Sequence, residues 1–259
     1  MQEPRALTIC ATHRTENGRA AELHPVTSII QTMKRVSLVL LFLGGNAAAA
    51  EINGYLVLTS DYVFRGVTYS DGHFAAQIGG DVTFDNGVYF GAWASSIDIE
   101  TPSGAERDLE VDYYLGYGLD LTDALTVGAN VVAYTFPGAE GLLDYDYEEY
   151  SLSINYMDRV WFEYSYAPDI FSTGTETHNY GLFSELPLGH QIVASAGIGY
   201  YDTSALSDDS YAYWELGVTR EFERIAIDLR YHDADQWVSI FSSADRVESR
   251  LVLSAKLRF

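Results

Sequence analysis

Asp108-Leu109-Glu110-Val111-Asp112-Tyr113-Tyr114-Leu115-Gly116-Tyr117-Gly118-Leu119-Asp120-Leu121 changes side-chain character at every step. Its odd-numbered positions are all Leu, Val or Tyr, and its even-numbered positions are Asp, Glu, Gly and a single Tyr. Successive side chains of a β-strand leave opposite faces of the pleat, so a period of two marks a strand with one apolar and one polar face. The stretch from Arg224 to His232 repeats the pattern, with Ile225, Ile227, Leu229 and Tyr231 set against Arg224, Ala226, Asp228, Arg230 and His232. A soluble sandwich shows the same alternation with its apolar face inward, so alternation by itself leaves two architectures open.

Turn spacing separates them. The same template predicts strands at 54–65, 74–84, 88–98, 108–121, 125–136, 147–156, 159–167, 177–187, 191–201, 211–222, 224–232 and 247–259. Each is about ten residues long, enough to cross a bilayer at a tilt. Tight connections (Asp85-Asn86-Gly87, Thr122-Asp123-Ala124, Met157-Asp158, Leu188-Gly189-His190 and Glu223) alternate with longer acidic ones (Ile99 to Arg107, Pro137 to Asp146, Asp202 to Ser210, Asp233 to Arg246). Short turns at one rim and long loops at the other are how bacterial outer-membrane barrels connect their strands. The expectation is an all-β fold over residues 51–259, a transmembrane antiparallel up-and-down β-barrel of about 12 strands with both ends on the periplasmic side.

The start of the chain points to export. Met33-Lys34-Arg35 precedes the apolar run Val36 to Leu43 and the small-residue stretch Ala47-Ala48-Ala49-Ala50. These are the three parts of a secretory signal peptide, which predicts a signal over 33–50 with cleavage after Ala50. Residues 1–32 show no strand or helix periodicity and are read as a non-native upstream extension, with Met33 the true start. The Val36 to Leu43 run is far short of the roughly 20 residues that a spanning helix needs.

Composition agrees with strands and turns, since aromatics make up 14% of the chain and 22 Gly accompany only 6 Pro. The formal net charge is -22, and removing the first fifty residues leaves the remainder more acidic still. Nucleic acid is thereby excluded as a partner, because phosphate backbones are held by Lys and Arg. The single cysteine, Cys10, lies ahead of the predicted signal, so the exported chain has neither a disulfide framework nor a metal-binding thiol.

The chain ends on Leu251-Val252-Leu253-Ser254-Ala255-Lys256-Leu257-Arg258-Phe259, an alternating strand with an aromatic last residue. It resembles the carboxyl-terminal signal read by the barrel-assembly machinery, with Phe259 as its key residue. The segment Leu58-Thr59-Ser60-Asp61-Tyr62-Val63-Phe64-Arg65-Gly66-Val67-Thr68-Tyr69-Ser70 resembles the opening strand of a proteobacterial family of uncharacterised outer-membrane β-barrel proteins. That resemblance implies a location in the cell outer membrane and a barrel architecture. It carries no activity, substrate or catalytic residue.

Parity then assigns the faces. In the opening strand Leu56, Leu58, Ser60, Tyr62 and Phe64 are expected to meet lipid, with Tyr55, Val57, Thr59, Asp61, Val63 and Arg65 in the lumen and Gly66 as the exit into the first outer loop. The charges expected to face the lumen are Asp61, Arg65, Glu110, Asp112, Arg159, Glu163, Glu215, Asp228, Arg230, Glu248, Arg250 and Lys256. Such a set either neutralises itself in a polar interior or forms a selectivity constriction. Tyr62, Phe64, Tyr113, Tyr117, Tyr156, Tyr164, Tyr166 and Tyr200 are candidates for the interfacial aromatic girdles, and Tyr114, Trp161 and Tyr201 for a stacking track inside.

Three function classes compete. About twelve strands enclose more space than the eight-stranded barrels that side chains fill, which favours a narrow passive channel for small solutes, cation-preferring given the acidic excess. The second class is a closed structural or adhesive barrel with acidic outer loops, and the third is a lipid-modifying outer-membrane enzyme. For the third, His73, His178, His190 and His232 are available, but no recognisable lipase motif accompanies them, so no catalytic residue is assigned and no enzyme is expected. His178, Asp202, Asp208, Asp209 and Asp233 form a weak pattern for a divalent cation bridging loops to lipopolysaccharide, and no metal site or cofactor is assigned from it. The partners expected are outer-membrane lipid and lipopolysaccharide, the barrel-assembly machinery, and small solutes or cations.

Overall fold

A computed structural model describes residues 50–100, 106–137, 145–207, 209–235 and 244–259. The predicted upstream extension lies outside the described residues, as does the predicted signal peptide except for Ala50. The strands, in chain order, are β1 (Ala50–Thr59), β2 (Val63–Phe64), β3 (Val67–Thr68), β4 (Ala75–Phe84), β5 (Val88–Glu100), β6 (Glu106–Thr122) and β7 (Leu125–Thr135). They continue with β8 (Tyr147–Tyr156), β9 (Val160–Ala167), β10 (Thr177–Gly189), β11 (Ile192–Asp202), β12 (Ser210–Glu221), β13 (Ile225–Ala234) and β14 (Arg250–Arg258). Among the described residues, β1 and β4 to β14 form one closed antiparallel barrel of twelve strands, while β2 and β3 pair only with each other.

The barrel is apolar outside and polar inside. Along β8, Tyr150, Leu152, Ile154 and Tyr156 are exposed while Ser151, Ser153 and Asn155 between them are buried. β13 does the same with Ile225, Ile227 and Leu229 outward and Asp228 and Arg230 inward. In water this arrangement would expose a continuous apolar band, whereas in lipid it is the stable one. Closure removes the unpaired strand edges that hydrocarbon does not tolerate. The seam runs from Tyr55 opposite Arg258 to Thr59 opposite Ser254. The amides of Gly54 and Phe259 seal it by donating to each other's carbonyls at 3.1 and 2.9 Å.

Inside, glycines make room for rings. A Cβ at Gly116 would overlap the ring of Tyr89, one at Gly91 the ring of Tyr114, and one at Gly199 the ring of Tyr213. These lumen rings thus lie flat across the neighbouring strand, where a residue larger than glycine would displace them.

Most predicted strands are found within a few residues of their expected ends, and the departures have causes. β5 and β6 run on through much of the predicted loop at 99–107, pairing Ile99 with Arg107 after a register shift. The last strand starts at Arg250 because Ala244–Val247 forms a 3₁₀ turn. The first strand stops at Thr59 instead of 65, and the residues after it do not leave the barrel.

Candidate functional site

After Thr59 the chain folds back into the lumen. Val63-Phe64 and Val67-Thr68 pair around Arg65-Gly66, whose φ angles of 48° and 82° are both left-handed. A two-residue turn with positive φ at both positions is the type I′ geometry that matches strand twist. Glycine serves its second position on two counts: the backbone is left-handed, and a Cβ there would lie 3.0 Å from the Cβ atoms of Ala234 and Tyr213. From Tyr62 to Ser70 every residue is buried.

Asp61 organises the base of this hairpin. Its carboxylate accepts from Thr68 Oγ1 at 2.6 Å and Ser70 Oγ at 2.8 Å and pairs with Arg250 at 3.3 Å. The Tyr69 amide donates to Tyr62 O at 2.6 Å, Asp98 N of the barrel wall donates to Tyr69 O at 2.7 Å, and Arg246 donates to Thr68 O at 3.3 Å. At the tip, Arg65 makes a two-pronged pair with Glu149, its Nη1 and Nη2 donating at 2.8 and 2.7 Å between side chains that are both buried. The guanidinium also lies 4.5 Å from the Phe64 ring centroid and 4.8 Å from that of Tyr201. Burial opposes its charge, but the Glu149 carboxylate opposite it prevails and holds the Arg65 pKa well above the ordinary arginine value.

The apolar side chains of the hairpin meet both walls. Tyr62 packs on Tyr69 and edge-on to Trp93, with centroids 5.2 and 5.4 Å apart, and Phe64 reaches Tyr69 and Tyr134. On the opposite side Val67 belongs to a cluster with Trp161, Phe183, Tyr201, Tyr211 and Tyr213. The hairpin therefore bridges the lumen from the β5–β8 wall to the β9–β12 wall as a packed, largely apolar plug. Beside its tip is a small cleft of about 50 Å³ lined by Arg65, Glu163, Asn179, Phe183, Glu215 and His232 among others.

Several expected site residues come together and others do not. Asp61 and Arg65 are inside the barrel but on the plug, not on a wall strand. Glu110 and Asp112 are buried on β6, and Glu163 is half-buried on β9. Glu215, Asp228 and Arg230 form one network: Arg230 donates to Glu215 Oε1 at 2.8 Å and to Asp228 Oδ2 at 3.1 Å, while Thr219 donates to Asp228 at 2.6 Å. His232 Nδ1 stands 3.7 Å from Glu215. Lys256 has its amine 3.9 Å from the Tyr55 ring centroid.

Arg159 and Glu248 correct the expectation. Arg159 is exposed in the turn after β8, where Met157 and Asp158 take left-handed φ, so it has left the pleat that parity assumed. Glu248 is exposed ahead of β14, because that strand begins two residues later. Tyr62 and Phe64 are likewise corrected from lipid to plug, since the strand that would have carried them outward has ended. Tyr113, Tyr117, Tyr156 and Tyr200 are exposed on the outer surface as expected of girdle residues, and Tyr164 and Tyr166 stack there on His178. Tyr114, Trp161 and Tyr201 do face inward. There, Tyr201 flanks Arg65 and Trp161 stacks on Phe183.

Glu149 was not among the expected residues. Glu148 beside it turns outward, where it accepts from Tyr150, and an adjacent acidic pair conceals which member faces in. The histidines are dispersed. His73 is exposed beside Asp98 at 3.3 Å, His178 meets the Tyr164 hydroxyl at 2.8 Å, and His190 occupies a tight turn. Asp208 lies outside the described residues.

Fold and lumen together define an outer-membrane-type β-barrel with an internal plug. The model of a family described as bacterial protein of unknown function (Gcw_chp) matches residues 44–256, and the chain belongs to that family. No curated protein matches it. Among solved structures it is similar to the NanC porin, at 9% identity and a TM-score of 0.53 over 81% of this chain and 99% of that one. It is also similar to the KdgM porin in complex with disordered oligogalacturonate, at 8% identity and a TM-score of 0.47 over 82% and 99%. A third similar structure is outer membrane phospholipase A from Escherichia coli, at 13% identity and a TM-score of 0.44 over 82% and 91%. The likeness to the NanC porin establishes the fold.

Proposed function

We propose that the protein resides in the cell outer membrane as a barrel closed by its own first loop, and that solutes pass only when the hairpin leaves the lumen. The observation that carries this reading is the hairpin itself: apolar packing against both walls and a buried Arg65–Glu149 pair at its tip hold it across the lumen. An apolar constriction excludes water and ions without having to be perfectly sealed. Once the hairpin is displaced, Glu110, Asp112, Glu163 and Glu215 line the passage with negative charge and favour cations. In this reading the long loops face outward, the exposed tyrosines meet lipid and lipopolysaccharide, and Phe259 serves the barrel-assembly machinery.

Planar-bilayer recording on the barrel purified from membranes tests the proposal. The native protein is expected to be silent for most of the record. A variant with residues 61–72 replaced by a Gly/Ser linker is expected to conduct in discrete steps, with a cation-selective reversal potential in a salt gradient. Steady conductance of the native protein, or silence of the folded hairpin-less barrel, would overturn it.

A further inference from the structure

We propose that Asp71, His73 and Asp98 form a site for a divalent transition ion of the zinc type, and that the ion pins the exit of the hairpin to the barrel wall. The site stands on its own geometry; the pinning rests on the closed-lumen reading.

Two of the three ligands come from the segment that leads out of the plug. Asp71 and Gly72 take left-handed φ angles of 52° and 74°, which turn the chain between Ser70 and His73. The His73 amide donates to Ser70 O at 2.8 Å, and Ser70 Oγ lies 2.8 Å from both His73 O and the Asp61 carboxylate. The third ligand, Asp98, is on β5, and its amide donates to Tyr69 O at 2.7 Å. One side of the site is thus set by the docked hairpin and the other by the wall.

The spacing fits an ion. One ligand atom from each residue lies within 4.8 Å of the other two. His73 Nδ1 and Asp98 Oδ2 are 3.3 Å apart. Ligands about 2.0–2.1 Å from a tetrahedral zinc ion stand about 3.3–3.4 Å from one another, so this pair already spans one edge of the polyhedron. The donor set selects among cations. Calcium takes six to eight oxygens, whereas an imidazole beside two carboxylates suits zinc. Among the described residues these three side chains have no partner outside the trio, so an ion displaces no existing contact. All three are exposed, which lets an ion arrive from solvent while the barrel stays closed.

Isothermal titration calorimetry with Zn²⁺ on the folded barrel in detergent, purified without a histidine tag, tests the site. Saturable one-site binding is expected, with Ca²⁺ at least about tenfold weaker. His73→Gln and Asp98→Asn are each expected to weaken Zn²⁺ by at least about tenfold, the lower end of what loss of even an outer-shell partner costs. His178→Gln, on the outer surface, is expected to leave binding unchanged. Absence of saturable heat from a barrel whose folding is verified by heat-modifiable electrophoresis would overturn the site, and so would native affinity in His73→Gln or equal affinity for Ca²⁺.

Pinning is read by impermeant-maleimide labelling of Val67→Cys in an Arg65→Ala barrel, whose plug lacks its buried pair. An ion that binds only the docked state is expected to slow labelling about a hundredfold at a hundred times its dissociation constant. The same addition to the His73→Gln form is expected to leave the rate unchanged. Zinc bound through His73 without slowing would overturn the pinning. A barrel that conducts steadily yet binds zinc through His73 refutes the closed-lumen reading and leaves the site standing; a silent barrel that takes up no zinc does the reverse.

Discussion

Replacing Arg65 with Ala would leave the Glu149 carboxylate, 3% exposed, without the guanidinium that pairs with it through two hydrogen bonds. Breaking a buried pair from one side costs about 3–5 kcal/mol, because the remaining charge keeps its desolvation penalty. Undocking the hairpin lets Glu149 reach water, so the cost falls on the docked state. At about 1.4 kcal/mol per tenfold, the docked-to-undocked ratio is expected to fall by roughly two to three and a half decades. A Val67→Cys probe, the single thiol of the exported barrel, reads this change, since Val67 is the plug residue buried against the β9–β12 wall. When redocking is fast, the rate of reaction with an impermeant maleimide follows the undocked fraction. The Arg65→Ala variant is expected to label at least about a hundredfold faster than the parent, with the barrel itself intact by heat-modifiable electrophoresis. Removing both charges, Arg65→Met with Glu149→Leu, is expected to restore labelling to within about tenfold of the parent, because apolar replacement of a buried pair is close to neutral. Labelling of Arg65→Ala within about threefold of the parent would refute the reasoning, as would a double variant no slower than the single one.

Two further predictions concern the barrel wall. Gly199→Val is expected to cost about 1–3 kcal/mol in urea-monitored refolding into lipid vesicles, because its side chain competes with the Tyr213 ring, whereas Gly118→Ala is expected to change stability by under about 0.5 kcal/mol. Leu152→Arg, at an exposed position in the middle of β8, is expected to destabilise the vesicle-inserted barrel by about 2–4 kcal/mol, the scale for a cationic side chain facing lipid at mid-depth. A negligible effect in the same assay would contradict the lipid-facing assignment of that surface.

What was legible in the sequence was local. The even and odd faces of β6 and β13 were readable because the pleat fixes side-chain direction within a strand. Asn86-Gly87 and the other tight connections marked where strands reverse. Parity failed wherever the chain left a strand: Arg159 and Glu248 belong to turns. Glu149 is hidden in the sequence because its neighbour Glu148 has the same charge and the opposite face. The plug had a signal of its own, the pair Arg65-Gly66 between Val63-Phe64 and Val67-Thr68, which has the form of a two-residue hairpin. It was masked because Leu56 to Phe64 continues the apolar pattern of a wall strand.

The amino-acid sequence by itself determined that this chain is built of alternating strands joined by turns of alternating length, and which face of each wall strand is apolar. Only the tertiary structure decided that residues 61–70 turn inward. Lipid and a packed lumen both accept Tyr62, Phe64 and Val67, so hydrophobicity does not distinguish the two destinations. The choice depends on Glu149, Arg250, Arg246 and the backbone of Asp98, which lie far away along the chain. They reach Arg65, Asp61, Thr68 and Tyr69 only once the barrel has closed.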